Sequence, residues 1–97
     1  RIPAAKGDHK RAELRSPDPT ANPYIAYALL IYAGIEGITD SLELPDATDL
    51  NLYTADREVT DALPKLPESY SAAVRLARQS EFVKSVLPSG YLEFASC

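Results

Sequence analysis

The stretch Arg11-Ala12-Glu13-Leu14-Arg15 decides how this chain is read. As a β-strand it alternates strictly, so Arg11, Glu13 and Arg15 project from one face while Ala12 and Leu14 project from the other. Two guanidinium groups flanking one carboxylate suit two roles. One is an exposed strand whose alternating charges form a salt-bridged ladder. The other is a site for a phosphorylated, metal-bound substrate. There the carboxylate holds a divalent cation and the arginines take phosphate or carboxylate oxygens two at a time.

Upstream, Arg1 to Ala5 reads as a partner strand, with Lys6-Gly7-Asp8 as the turn and Lys10 to Arg15 returning. Gly and Asp tolerate the backbone angles of a tight reversal. Such a hairpin brings Arg1 back toward Arg15 and gathers three arginines around Glu13. His9, the sole histidine, sits beside the turn and reads as a solvated loop residue.

Downstream, Pro17 and Pro19 bar Ser16 to Ala21 from a central strand or a helix. Asn22 then caps a helix and Pro23 takes its first position, where the missing N–H costs nothing. The pattern predicts a helix from Pro23 to about Glu36, with Gly37 as a left-handed stop. Ile25, Leu29, Tyr32 and Ile35 mark one stripe, and Ala26, Tyr27, Leu30 and Ile31 fill most of the opposite side. A helix apolar nearly all round is expected to be buried on several faces. Ninety-seven residues are hard pressed to cover it, which points to missing sequence upstream and to a chain prone to self-association. Residues 39–67, with Pro45, Pro64, Pro67 and seven acidic side chains, read as a connecting segment with one helical turn near Ala55 to Thr60. Ser69 caps a helix through about Gln79, and Ser80 caps a shorter one before Pro88-Ser89-Gly90, so 69–88 is helical. The predicted fold class is α+β: a short antiparallel hairpin over 1–15, a buried helix over 23–37 and two further helices.

Composition narrows the function. The chain is 45% apolar and 25% charged, values of a globular rather than a disordered sequence. The net charge of −4 is uneven. Residues 1–15 carry five Lys/Arg against two Asp/Glu, or +3, and the remainder carries five against twelve, or −7. Basic charge is therefore concentrated where anions would be met. No long basic stripe with interleaved aromatics exists, which argues against a nucleic-acid partner. The most apolar run, Tyr24 to Ile35, is twelve residues, too short to span a bilayer. The single cysteine, Cys97, has no intramolecular disulfide partner, and nothing around it suggests an activated thiol. With no secretory apolar segment in view, a reducing cytoplasmic setting is the default expectation.

A longer pattern adds to this reading. Arg1-Ile2-Pro3-Ala4, then Arg11-Ala12-Glu13-Leu14-Arg15, then Asp18-Pro19-Thr20-Ala21-Asn22-Pro23-Tyr24, then an apolar helix ending in Ala33-Gly34-Ile35-Glu36-Gly37-Ile38 stand in this order. The series resembles the C-terminal part of the catalytic domain of glutamine synthetase, with the spacing of the type I bacterial enzymes. It is dense from Arg1 to Ile38 and thinner from Thr39 to Ser89. The resemblance implies that residues 1–97 are a fragment of that domain, an incomplete β-barrel with helices outside. A first residue that is not Met, within a motif, fits an excised piece.

The resemblance also implies a chemistry: ATP-dependent ligation of ammonia to L-glutamate through a γ-glutamyl phosphate. That reaction needs divalent metal, Mg²⁺ or Mn²⁺, to screen phosphates, cations to hold the transferring phosphoryl group, and a site that excludes water. Glu13 matches a metal-ligand position, against the plain alternative of an ion pair with Arg11 or Arg15. Arg15 matches the arginine that contacts glutamate and, in the transition state, the phosphoryl oxygens. Arg1 matches a nucleotide-phosphate arginine. Arg11 lies where the family approaches the nucleotide, or serves to orient Glu13. Tyr53 aligns with the tyrosine that some bacterial members carry as an adenylylation site, although Thr54-Ala55-Asp56-Arg57-Glu58 after it departs from their pattern; packing or a subunit contact is its alternative role. The parent enzyme is expected to be a homo-oligomeric ring, and the isolated piece to be inactive. Two other readings stay open. One is a glutamate–amine ligase acting on a polyamine, and the other is a non-catalytic assembly module.

Overall fold

Serine, asparagine and proline punctuation sets the helices of this protein. They are seen in a computed structural model that describes residues 1–94. Cys97, read above as an inert thiol, lies outside the described residues. Helix α1 spans Pro23–Thr39. Its N-terminus is closed by Asn22, whose side-chain oxygen accepts the Tyr24 N–H at 3.0 Å, and Pro23 sits in the first turn, where no N–H is required. Helix α2 is a short Arg57–Asp61 turn. Helix α3, Tyr70–Gln79, is capped by Ser69, which accepts the Ala72 N–H at 3.2 Å. Ser80 then serves two helices. Its N–H donates to the Ala77 carbonyl at the end of α3, and its hydroxyl accepts the Val83 N–H at the start of α4, Glu81–Val86. A last short helix, α5, covers Tyr91–Phe94.

The end of α1 differs from the expectation. The helix runs through Gly37 and stops two residues later. The Leu42 N–H reaches back to the Gly37 carbonyl at 3.0 Å and the Ser41 N–H to the Ile38 carbonyl at 3.3 Å. This is the paired 6→1 and 5→2 closure of a left-handed helix stop. The left-handed residue is Ser41, at φ 51°. A serine accepts that conformation at a cost of about 1–2 kcal/mol that a glycine would not bear.

The α+β class and the hairpin are overturned. Among the described residues there is no strand, and the regular structure is helical. Residues 1–15 contain one reciprocal pair: the Arg1 amino group donates to the Glu13 carbonyl at 2.9 Å, and the Glu13 N–H donates to the Arg1 carbonyl at 2.8 Å. No ladder extends from it. Pro3 has no N–H to offer, and residues 7–9 coil into a 3₁₀ turn closed by Lys10 N–H to Gly7 carbonyl at 3.2 Å. An isolated two-stranded ribbon is marginal in water without a sheet beside it. Among the described residues no part of a barrel forms either.

The expected burial of α1 is likewise not found. α4 packs against α1 and α3, and α5 packs against α3, yet α1 has no buried residue. Leu87, at 9% exposure, is the one buried apolar side chain among the described residues. The chain exposes 8930 Å², where a compact monomer of its mass would expose about 5,500 Å². Its radius of gyration, 16.0 Å, exceeds the about 13 Å of a compact domain of this length. Among the described residues, no helix is long and apolar enough to cross a membrane.

Candidate functional site

The reciprocal Arg1–Glu13 pair positions the site. It closes residues 1–13 into a loop and sets the Arg1 and Glu13 side chains beside one another. Arg11 and Arg15, each two residues from Glu13, join from either side. Arg1, Arg11, Glu13 and Arg15 therefore meet. Glu13 is the hub: its side chain is 22% exposed, whereas the arginines are 55–79% exposed.

The three arginines do not hold Glu13 in the same way. Arg11 grips one oxygen with two donors, Nε at 3.1 Å and Nη2 at 2.8 Å from Oε1. Its third nitrogen, Nη1, donates to the His9 carbonyl at 3.3 Å. Arg11 is thus the partner that orients the carboxylate, and it ties the site to the 3₁₀ turn. Arg1 and Arg15 approach the other oxygen, Oε2, at 3.6 Å each, beyond hydrogen-bond length. Oε2 is buried and has no hydrogen-bond donor.

Three cations around one anion leave an excess of two positive charges. Exposed ion pairs contribute on the order of 0–1 kcal/mol each, so the cluster does little for stability. What it offers is a pair of forked donors, on Arg1 and Arg15, whose geometry suits phosphate or carboxylate oxygens. Beside it lies a shallow apolar concavity lined by Ile2, Pro3, Ala5, Lys10, Arg11 and Ala12. Sequence reading missed this hollow, because it depends on where Pro3 and Ala5 fold relative to Lys10. The His9 carbonyl as an anchor for Arg11 was also missed, since a backbone acceptor leaves no trace in residue type.

A divalent cation takes several oxygen ligands. Among the described residues, no group of three or more His, Cys, Asp and Glu gathers. Glu13 stands alone among guanidiniums, so these residues do not by themselves hold Mg²⁺ or Mn²⁺. The one atom that fits is the donor-free Oε2.

Beyond the cluster, Asp18 Oδ1 accepts both the Thr20 hydroxyl at 2.6 Å and the Thr20 N–H at 2.8 Å. The hydroxyl bond first, then the backbone bond, hold the Asp18 carboxyl below its ordinary value of 3.8. With Ala21 N–H on the Asp18 carbonyl at 2.9 Å, this turn delivers the chain to the Asn22 cap. Tyr53 lies in another turn, where its N–H donates to the Asn51 side chain at 3.0 Å. Its own side chain is fully exposed. His9 is exposed as well.

The glutamine synthetase catalytic-domain family matches residues 1–95. Among curated proteins, the glutamine synthetases of Staphylococcus aureus and Staphylococcus epidermidis are each 37% identical to this chain over 89 residues. Those matches cover 90% of this chain and 20% of each relative, so the chain spans about a fifth of their length. No solved structure gives a significant match. The family match over nearly the whole chain, in agreement with the Arg1–Glu13–Arg15 constellation, makes this protein a member of the glutamine synthetase catalytic-domain family, of which it carries a C-terminal part.

Proposed function

We propose that the chain supplies one wall of the active site of an ATP-dependent glutamate–ammonia ligase. The observation that carries this reading is the cluster itself: Glu13 Oε2, buried without a donor, faces two arginines whose forks are not hydrogen-bonded to it. In the proposed reaction a γ-carboxylate oxygen of L-glutamate attacks the γ-phosphorus of ATP and ADP departs. Ammonia then attacks the carbonyl carbon of γ-glutamyl phosphate, phosphate leaves, and the nitrogen loses a proton to give glutamine.

Each residue has a task in that sequence. Arg15, the most exposed of the three arginines, binds the glutamate carboxylate and stabilises charge on the transferring phosphoryl oxygens as it moves. Arg1 and Arg11 neutralise nucleotide phosphate. Arg11 does so with less freedom, because its fork already holds Glu13 and the His9 carbonyl. Glu13 contributes Oε2 as one ligand of a Mg²⁺ or Mn²⁺ site whose other ligands lie outside the described residues. The cation, when bound, screens the phosphates and lowers the cost of bringing anions together. Since the chain spans 20% of its relatives, it is inactive alone. The working enzyme is a larger cytoplasmic homo-oligomer, with Tyr53 available for packing, subunit contact or modification.

The test is Glu13→Ala in a full-length ligase carrying this segment. Turnover should fall at least ~100-fold at saturating Mg²⁺ or Mn²⁺ while assembly by size is unchanged. Wild-type turnover at saturating metal would remove Glu13 from the site.

A further inference from the structure

Every side-chain nitrogen of Arg11 is engaged. Nε and Nη2 both donate to Glu13 Oε1, at 3.1 and 2.8 Å, and Nη1 donates to the His9 carbonyl at 3.3 Å. That carbonyl belongs to a turn closed on itself. The His9 N–H donates to the Lys6 carbonyl at 3.3 Å and the Lys10 N–H to the Gly7 carbonyl at 3.2 Å. The guanidinium is therefore braced against backbone on one side and holds the carboxylate on the other.

A carboxylate oxygen offers two lone-pair directions. The two donors from Arg11 use both of those on Oε1. Oε2, buried and without a donor, keeps both of its own. Glu13 thus has one closed oxygen and one open one. A cation drawn to it meets Oε2 alone, because gripping both oxygens would displace Arg11 and leave its fork without an acceptor.

This asymmetry discriminates between cations. Calcium takes about six to eight oxygens in flexible geometry and accepts carboxylates through one oxygen or both, whereas magnesium demands a near-octahedral shell and keeps several waters beside one or two carboxylates. Ligation through a single oxygen suits magnesium and denies calcium its two-oxygen mode.

We propose that Arg11 is a positioning residue that limits Glu13 to ligation through Oε2 and thereby favours magnesium or manganese over calcium. This role rests on the ligand reading of Glu13 given above, and it is separate from any contact between Arg11 and nucleotide.

The test is a Mn²⁺ titration of a full-length ligase carrying this segment, without nucleotide. Free Mn²⁺ is followed by electron paramagnetic resonance, with Mg²⁺ or Ca²⁺ added as competitor. The Glu13 site is the one that Glu13→Ala loses. Arg11→Lys keeps the charge and removes the planar fork. It should weaken Mn²⁺ at that site about 10-fold and shift the ratio of Ca²⁺ to Mg²⁺ dissociation constants at least about 3-fold in favour of Ca²⁺. The ratio is read on one preparation, so partial unfolding does not mimic it, and the absence of nucleotide removes any phosphate contact from the measurement. An unchanged ratio in Arg11→Lys, with a site lost in Glu13→Ala, would overturn the positioning role and leave the ligand reading standing. Mn²⁺ binding that survives Glu13→Ala unchanged would overturn both.

Discussion

Replacing Leu87 by alanine should remove most of the stability of the helical cluster. Leu87 follows α4, its N–H bonded to the Val83 carbonyl at 2.9 Å, and is the one buried apolar side chain among the described residues. Burying a leucine contributes about 1.5–3 kcal/mol. Truncating it to alanine in a closed core costs about 2–5 kcal/mol, the spread reflecting how far the surroundings collapse. Leu87 borders a cleft of about 400 Å³ shared with Arg78, Pro88 and Leu92, so water and neighbouring side chains can fill the gap. The expected loss is therefore at the low end, about 2–3 kcal/mol. A chain with so small a core has little more than that to lose. Urea unfolding followed by circular dichroism at the helix band should show the midpoint collapse and the transition broaden. The Arg11–Glu13 pairing, in another segment, should persist. A change below about 0.5 kcal/mol would refute the view that the buried Leu87 side chain is the core of the helical cluster.

Three further outcomes are expected. Arg15→Lys in the full-length ligase should raise the glutamate KM and lower kcat together, because a point charge cannot replace a planar fork; wild-type kinetics would exclude Arg15 from the site. Ser41→Gly should stabilise the chain by about 1 kcal/mol in thermal unfolding, since the residue sits at φ 51°, and a neutral or destabilising result would contradict that strain. Asp18 should titrate below 3.8 by carboxyl NMR. Its folded value is depressed, so its stabilising contribution is present above 3.8 and fades as the pH falls through the lower folded value. Thr20→Val should return the midpoint toward 3.8, and no change would sink the assignment.

The helices were legible because their signals are local. Asn22, Ser69 and Ser80 each precede a periodic apolar run, and a side-chain oxygen over a free N–H needs nothing from the rest of the molecule. The Arg11, Glu13 and Arg15 grouping was legible for a related reason, as opposite charges two residues apart share a face of extended backbone, whereas Arg1 was expected there through a hairpin and joins instead through its backbone pair with Glu13. Strand pairing was misread because a ladder is stable only with neighbours, and Pro3 and the 3₁₀ turn at residues 7–9 undo the hairpin when none is present. The stop of α1 was misplaced because Gly37 satisfies a rule of residue type, whereas Ser41 satisfies the hydrogen bonding. Burial of α1 was overestimated for the same reason as the hairpin: apolarity states what a helix needs, and the chain must contain what provides it.

The single Arg1–Glu13 backbone pair has a thermodynamic corollary. Closing a loop of about thirteen residues costs on the order of 2 kcal/mol of chain entropy, and two hydrogen bonds return a similar amount. Open and closed loops are then comparably populated, and only the closed one brings the arginines together. An anion that binds the closed form has its apparent affinity reduced by the fraction closed. Binding and loop ordering become one equilibrium, so anything that clamps Arg1 to Glu13 tightens anion binding without touching the anion.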